Sequence, residues 1–355
     1  MSILASIRPE LQSLQPYRAA EQVDDTIRLN ANEAPWSSAG DAFRRPLNRY
    51  PEVRPGGLAA TLADAYGCAA DNLVITRGSS EGIDLLIRIF CRAGEDTIVT
   101  ATPTFSMYRH YARVQGASIV ELATAPEDDF AIDVDALLNA CDATTRMVFL
   151  CSPNNPTGKT IPRQNLERIL SSCRNRAAVV VDEAYIEFSD QPSVVDLLKD
   201  YDNLIILRTL SKALACAGAR CGSVIANPAV TNILAAVQAP YALATPVVEC
   251  VENALADGGF AKAAKWVTEI RNQRAGLIEQ LGNMPFVERV WHSDGNFFLV
   301  RVTDASALLE HCATRGILLR SFADDLQGCL RITVGSNDEN QQLLLALRDF
   351  ADITR

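Results

Sequence analysis

Between about residues 70 and 226, short runs rich in Val and Ile alternate with amphipathic stretches, and this alternation constrains the fold more than any other feature of the chain. The runs are NLVIT (72–76), TIVTA (97–101), SIVEL (118–122), MVFLC (147–151), AVVVD (178–182), LIILR (204–208) and GSVIA (222–226). Most show little polar alternation, as strands buried on both faces should. Helical spacings lie between several of them. Ile83, Leu86, Ile87 and Phe90 fall at i, i+3, i+4 and i+7, and Leu166, Ile169 and Leu170 give a shorter example. The pattern predicts an α/β fold, a seven-stranded mostly parallel sheet sandwiched by helices.

After residue 226 the pattern changes. Residues 229–281 contain few Gly or Pro and read as largely helical. VERVW, NFFLVRV, GILLR and CLRITVG then read as short strands, and Leu343, Leu344, Leu347 and Phe350 mark a closing helix. The expected organisation is an N-terminal arm over 1–35, a large domain over 36–245 and a smaller α+β C-terminal domain over 246–355.

Charge and cysteine usage bound the partners. The 355 residues carry 33 Lys plus Arg against 43 Asp plus Glu, a net charge of −10. Binding to nucleic acid needs a basic face, so no nucleic-acid partner is expected, and a phosphate-bearing ligand must be held by a local cluster of donors. No pair of the ten cysteines has CxxC spacing, and the three histidines (His110, His292, His311) are scattered, so no metal centre is expected. Scattered cysteines in a chain of this size suit a reducing, cytoplasmic setting. The N-terminal segment does not read as a signal peptide, and no 18-residue apolar stretch occurs, so no membrane partner is expected.

In an open α/β sheet, ligands bind beyond the carboxyl ends of the strands, and several runs are followed by residues with chemical use. After NLVIT comes Arg77-Gly78-Ser79-Ser80-Glu81-Gly82, opening a helix. Small residues there leave backbone N–H groups free for a phosphate, although Ser79 or Ser80 can equally be a plain helix cap. After MVFLC comes Ser152-Pro153-Asn154-Asn155-Pro156-Thr157-Gly158, which alone reads as an Asn-rich turn. After AVVV comes Asp182-Glu183-Ala184-Tyr185. A carboxylate ending a buried strand needs a partner, whether a helix N-terminus, a salt bridge or a cationic ligand nitrogen. After LIILR comes Thr209-Leu210-Ser211-Lys212, with Arg220 eight residues beyond the lysine. A lysine among small and apolar neighbours can be a surface lysine or one with a depressed pKa suited to Schiff-base chemistry.

The order of these signals resembles the fold-type I pyridoxal-phosphate aminotransferases, and within them the subfamily that acts on histidinol phosphate. The segments that carry the resemblance are LNANE (29–33), NRYPE (48–52), RGSSEGIDLLIR (77–88), SPNNPTG (152–158), VVDEAYIEF (180–188), RTLSKALACAGARCG (208–222) and GCLRITVG (328–335). They run from the arm to the last strand.

The resemblance implies pyridoxal 5′-phosphate as cofactor and a role for each matching residue. Lys212 matches the Schiff-base lysine and proton shuttle, and Asp182 the partner of the pyridine nitrogen. Asn155 and Tyr185 match the pair that hydrogen-bonds the cofactor's phenolic oxygen. Ser79 and Ser80, with Thr209, Ser211 and Arg220, match the phosphate shell. Phe105 stands where a ring-stacking Tyr is common, leaving open whether its missing hydroxyl is replaced by Tyr108. Ser80 replaces a frequent acidic residue, with little consequence expected where the backbone does the work. Arg331, Arg320 and Tyr17 match residues holding the substrate's phosphate, and Arg331 also suits the carboxylate of glutamate. Tyr50 matches a tyrosine that reaches across a homodimer interface to the neighbour's cofactor phosphate. Asn30 to Glu33 match a signature to which the sequence assigns no role.

The implied reaction is histidinol phosphate plus 2-oxoglutarate to imidazole-acetol phosphate plus glutamate. Related alternatives are a decarboxylase of threonine phosphate and an aminotransferase of aromatic amino acids. A non-enzymatic cofactor-binding regulator would need a basic DNA-reading extension, which this acidic chain does not contain.

Overall fold

All seven apolar runs form strands of one sheet: β1 (Leu73–Thr76), β2 (Thr97–Thr102), β3 (Ser118–Ala123), β4 (Thr145–Cys151), β5 (Ala178–Asp182), β6 (Leu204–Thr209) and β7 (Gly222–Ala226). The computed structural model describes residues 3–22, 26–323 and 326–353. The strand order is β1-β7-β6-β5-β4-β2-β3. Pairings from β3 through β2, β4 and β5 to β6 are parallel, and β7 runs antiparallel to both β6 and β1. The central strands are buried throughout, whereas edge strand β3 alternates toward exposure, as its SIVEL composition suggests.

Among the described residues, ten α-helices follow in chain order: α1 (Gly56–Tyr66), α2 (Ser79–Phe90), α3 (Met107–Gln115), α4 (Val134–Asn139), α5 (Arg163–Cys173), α6 (Pro228–Val237), α7 (Thr245–Leu255), α8 (Gly259–Gly282), α9 (Ala305–Ala313) and α10 (Asn337–Ile353). On one face of the sheet, Ile83, Leu86 and Phe90 of α2 pack with Tyr108 of α3 and Leu234 of α6. On the other, Leu62 of α1 packs with Leu166, Ile169 and Leu170 of α5 and Val251 of α7. The two periodicities seen in the sequence therefore mark the two sheet-facing stripes.

A second, antiparallel sheet has the order β10-β11-β9-β8, formed by β8 (Val287–Val290), β9 (Phe297–Val302), β10 (Arg320–Ser321) and β11 (Cys329–Thr333). Phe298, Val300, Leu330 and Ile332 pack there against α8, α9 and α10 through residues such as Leu281, Leu308 and Leu347. Helix α8 serves both cores, with Val267 in the large-sheet cluster and Leu277 in the second. The segment GILLR is a partial correction: only its last residue, Arg320, enters a strand, pairing with Arg331. Ile317 and Leu319 pack against the second core while Leu318 between them is 86% exposed, so the run is apolar without forming a longer strand.

Residues 26–55 contain neither helix nor strand. Their backbone is tied down by side chains instead, as when Asn48 Nδ2 donates to the Ala34 carbonyl at 2.8 Å.

Candidate active site

Strand alternation decides what meets at the carboxyl end of the parallel sheet. In β5, Ala178 and Val180 face the α2 side, whereas Val179 and Val181 face the α5 side. Asp182 continues the first series and Glu183 the second. The two adjacent carboxylates consequently do different things. Glu183 lies against Arg208 (3.3 Å) and accepts from Ser193 Oγ at 2.6 Å and the Val194 N–H at 2.8 Å, a structural anchor. Asp182 faces a cleft of about 220 Å3 lined also by Ser79, Ser80, Phe105, Asn155, Tyr185, Thr209, Ser211, Lys212 and Arg220. Every residue assigned to the cofactor from the sequence, apart from Tyr50, thus converges on one cleft.

The Asp182 carboxylate is 2% exposed. Its Oδ2 accepts from the Tyr108 hydroxyl at 2.8 Å and its Oδ1 from the Ala184 N–H at 3.1 Å. Burial pushes its pKa up to about 6, against the opposing pull of these two donors and of Lys212. It is neither a helix cap nor a protein salt bridge, so its charge is available to a cationic ligand nitrogen. Tyr108 is fully buried and stacked on Phe149 at 4.9 Å between centroids. Whatever the hydroxyl of a tyrosine at position 105 would do, Tyr108 spends its own on Asp182. Phe105 packs edge-on to it at 5.8 Å.

The Lys212 amine stands 5.4 Å from the centre of the Tyr185 ring. Burial, then the charges of Arg331 and Arg220, push its pKa down, and Asp182 opposes the shift. A larger fraction of neutral amine follows, which nucleophilic and proton-transfer chemistry requires. Tyr185 accepts from Asn155 Nδ2 at 3.4 Å, and burial pushes its hydroxyl pKa up, so it remains a donor at neutral pH.

The opposite end of the cleft is built for an anion. The N-cap of α2 is Gly78 with no side-chain cap, so neither Ser79 nor Ser80 closes the helix, and its first N–H groups and dipole point outward. Gly78 takes a left-handed φ of 73°, and a Cβ there would stand 2.7 Å from Arg220 Nη2. A Cβ at Gly222 would stand 2.7 Å from the Ser79 nitrogen. The two glycines let the helix N-terminus, β7 and Arg220 crowd together. Thr209 donates to Ser211 Oγ at 3.0 Å, and Arg220 Nη1 reaches the same oxygen at 3.5 Å. A ring nitrogen facing Asp182, a carbonyl near Lys212, a phenolic oxygen near Asn155 and Tyr185, and a phosphate at the helix end match this donor set. Pyridoxal phosphate therefore fits the residues present.

At the mouth, Arg331 Nη1 donates to Asn155 Oδ1 at 2.5 Å, and Arg331 packs over Phe297 at 5.4 Å. Arg331 Nε is buried without a partner. Arg320 is its cross-strand neighbour in the β10–β11 pairing and lines an adjoining cleft with Phe105, Tyr108 and Pro156. Tyr17 and Tyr50 do not line the Lys212 cleft of their own chain. Both meet Tyr241, Tyr50 stacked at 4.7 Å and Tyr17 edge-on at 6.1 Å. Sequence reasoning missed Tyr241 altogether, and missed that Glu33 binds Arg28, Arg49 and the Tyr50 N–H. The LNANE signature was the available signal for Glu33.

Residues 23–347 match the family described as aminotransferase class I and II. Histidinol-phosphate aminotransferase of Xylella fastidiosa (strain 9a5c) is 43% identical, covering 98% of this chain and 97% of the relative. The enzyme of the same name from Pectobacterium atrosepticum is 39% identical over 99% of both. A crystal structure of histidinol-phosphate aminotransferase from Sinorhizobium meliloti in complex with pyridoxal-5′-phosphate has a TM-score of 0.76 at 22% identity, covering 87% of this chain and 84% of that one.

Proposed function

The chain belongs to the aminotransferase class I and II family, and we propose that it transfers the amino group of L-histidinol phosphate to 2-oxoglutarate, giving imidazole-acetol phosphate and glutamate in histidine biosynthesis. The observation that carries this reading is the cross-strand pair Arg320–Arg331: Arg331 bonds Asn155 in the wall of the cleft that holds Lys212 and buried Asp182, and Arg320 lines the adjoining cleft, with Phe105 common to both. Such a pair suits a phosphate in one half-reaction and a carboxylate in the other. The two curated relatives named for this activity support the choice of substrate.

When bound, pyridoxal phosphate supplies an electron sink for the bond broken at the substrate's Cα. The chain's residues do the rest. Lys212 would hold the cofactor's carbonyl carbon, and its Nζ would move a proton to and from the substrate's Cα. Asp182 keeps a proton on the ring nitrogen, and Tyr108 and the Ala184 N–H fix the orientation of its carboxylate. Asn155 and Tyr185 hold the phenolic oxygen. The N-terminus of α2, Thr209, Ser211 and Arg220 hold the phosphate, and Phe105 covers one face of the ring.

The same reading makes the active unit a cytoplasmic homodimer in which Tyr50 serves the neighbour's phosphate. What supports it is the state of Tyr50 and its surroundings: the ring is 50% exposed, and Ile27, Leu29 and Trp36 nearby in sequence are more exposed still. Because Tyr17 and Tyr50 share Tyr241, Tyr17 reaches the neighbour's substrate in the same arrangement. No described helix is long and apolar enough to cross a membrane.

The test is a coupled assay of the purified protein with histidinol phosphate, O-phosphothreonine and phenylalanine. Keto-acid-dependent turnover should be fastest with histidinol phosphate. Carbon dioxide release from O-phosphothreonine as the dominant activity would replace the assignment with a decarboxylase. Lys212→Ala should abolish turnover and the borohydride-reducible link between protein and cofactor.

A further inference from the structure

Glu33 is a heavily engaged carboxylate outside the cleft. Its side chain is 2% exposed. Its Oε1 accepts from Arg28 Nη2 at 2.7 Å and from the Tyr50 backbone N–H at 2.8 Å, and its Oε2 accepts from Arg49 Nη1 at 2.8 Å. Burial raises the pKa of this group, yet the Tyr50 N–H with Arg49 and Arg28 more than offsets it and holds the carboxyl below its ordinary value. Glu33 is therefore ionised at neutral pH, and all of its bonds are charge-assisted.

The surroundings give these bonds a purpose. Residues 26–55 have no helix or sheet ladder to fix their backbone. Without Glu33, Arg28 and Arg49 would face each other without an anion, and the Tyr50 N–H would lose its acceptor. Among the described residues, the Tyr50 ring makes one aromatic contact, the stack on Tyr241 at 4.7 Å, and Tyr241 holds its place from a left-handed backbone conformation (φ 57°). One stack lets a half-exposed ring slide, whereas a stack together with a fixed backbone does not.

We propose that Glu33 is a positioning residue for Tyr50: its buried carboxylate fixes the Tyr50 backbone between Arg28 and Arg49, and so presents the phenol to the cofactor phosphate of a second copy of this chain. This rests on the reading of Tyr50 as a phosphate ligand. It gives the LNANE segment a role that no contact with cofactor or substrate would supply.

The experiment is a double-mutant cycle on the dimeric holoenzyme, read as the dissociation constant of pyridoxal phosphate from titrated absorbance. Dimer mass and melting temperature are measured alongside. Tyr50→Phe should weaken cofactor binding by about tenfold, the usual scale for one hydrogen bond to a charged group. Glu33→Gln should weaken it by a similar factor in the wild-type background and by less than twofold in the Tyr50→Phe background. Glu33→Asp keeps the charge that neutralises Arg28 and Arg49 but is one methylene shorter, and covers the case in which Glu33→Gln does not fold. It should lie between wild type and Glu33→Gln. If Tyr50→Phe binds cofactor normally, the phosphate-ligand reading fails. If Tyr50→Phe is impaired while the folded Glu33 variants bind normally, or impair binding equally in both backgrounds, the positioning role fails and the reading of Tyr50 stands.

Discussion

Tyr108 donates its hydroxyl to Oδ2 of Asp182 at 2.8 Å across the buried face between α3 and β5. Tyr108 and Ala112 are the buried residues of helix α3, with Met107 and Tyr111 half-buried beside them. The helix therefore brings one phenol to the end of a central strand, where it supports a carboxylate that has already lost its water.

Tyr108→Phe tests that support. The ring keeps its stack on Phe149, so the change removes one hydrogen bond to a charged group, worth about 1.5–3 kcal/mol when the acceptor stays buried. Transamination should fall roughly ten- to a hundredfold, with the affinities for both substrates within about twofold of wild type, since the tyrosine is fully buried behind Asp182. Steady-state kinetics of the holoenzyme checks it. An unchanged kcat would mean that the Ala184 N–H holds Asp182 unaided.

The pH dependence of the cofactor-free protein follows from Asp182. Burial raises its pKa from the ordinary 3.8 to about 6. The folded state then binds the proton more tightly than the unfolded chain. Its favourable contribution is full below about pH 4 and is lost as pH rises toward 6. A shift of this size corresponds to roughly 3 kcal/mol. Asp182→Asn cannot titrate, so the melting temperature of wild type relative to this variant should fall between pH 4 and 6 and level off above. A difference that stays flat over that window would mean that the carboxylate is not desolvated as its 2% exposure indicates.

How much of this was legible in the sequence depends on the range of the interaction. The seven strands follow from local Val and Ile content, and α2 from the spacing of Ile83, Leu86, Ile87 and Phe90, because those patterns repeat within a few residues. The cleft residues were legible because each follows directly on a strand: Asn155 after β4, Asp182 at the end of β5, Lys212 after β6. The Glu33–Tyr50 bond was not, since residues 26–55 have no periodicity to read. The stack of Tyr50 on Tyr241 spans most of the chain and depends on a left-handed residue that is not glycine. GILLR failed differently. Its composition suits a strand, but tertiary placement leaves Leu318 in solvent and pairs only Arg320.

Arg331→Lys and Arg320→Lys separate the two anion holders. Lysine keeps a charge but loses the planar fork. Arg331 is tied to Asn155 at 2.5 Å, so its replacement also frees a cleft residue and should harm both half-reactions by tenfold or more, on the order of one charged hydrogen bond. Arg320 is exposed at the adjoining cleft and should matter more for histidinol phosphate than for glutamate. Single-turnover rates with each substrate measure this. Equal losses for both at position 320 would remove its role in selecting phosphate.

The shared-site dimer is tested by complementation. Lys212→Ala and Tyr50→Ala should each be nearly inactive alone. In a mixed dimer the Tyr50→Ala subunit supplies an intact Lys212, and the Lys212→Ala subunit supplies the intact Tyr50 that reaches it. One site is then wild type, and the other carries both lesions. Random one-to-one exchange makes about half of the dimers mixed, each with one good site of two, so activity should recover to roughly a quarter of wild type, as a reciprocal two-fold interface requires. Subunits are exchanged by mild denaturation and refolding together, and heterodimers are counted by mass. Tyr17→Ala combined with Lys212→Ala should complement in the same way, because Tyr17 and Tyr50 both pack on Tyr241 and travel as one unit. Demonstrated heterodimers whose activity stays at the sum of the parents would place Tyr50 in the service of its own subunit or of none.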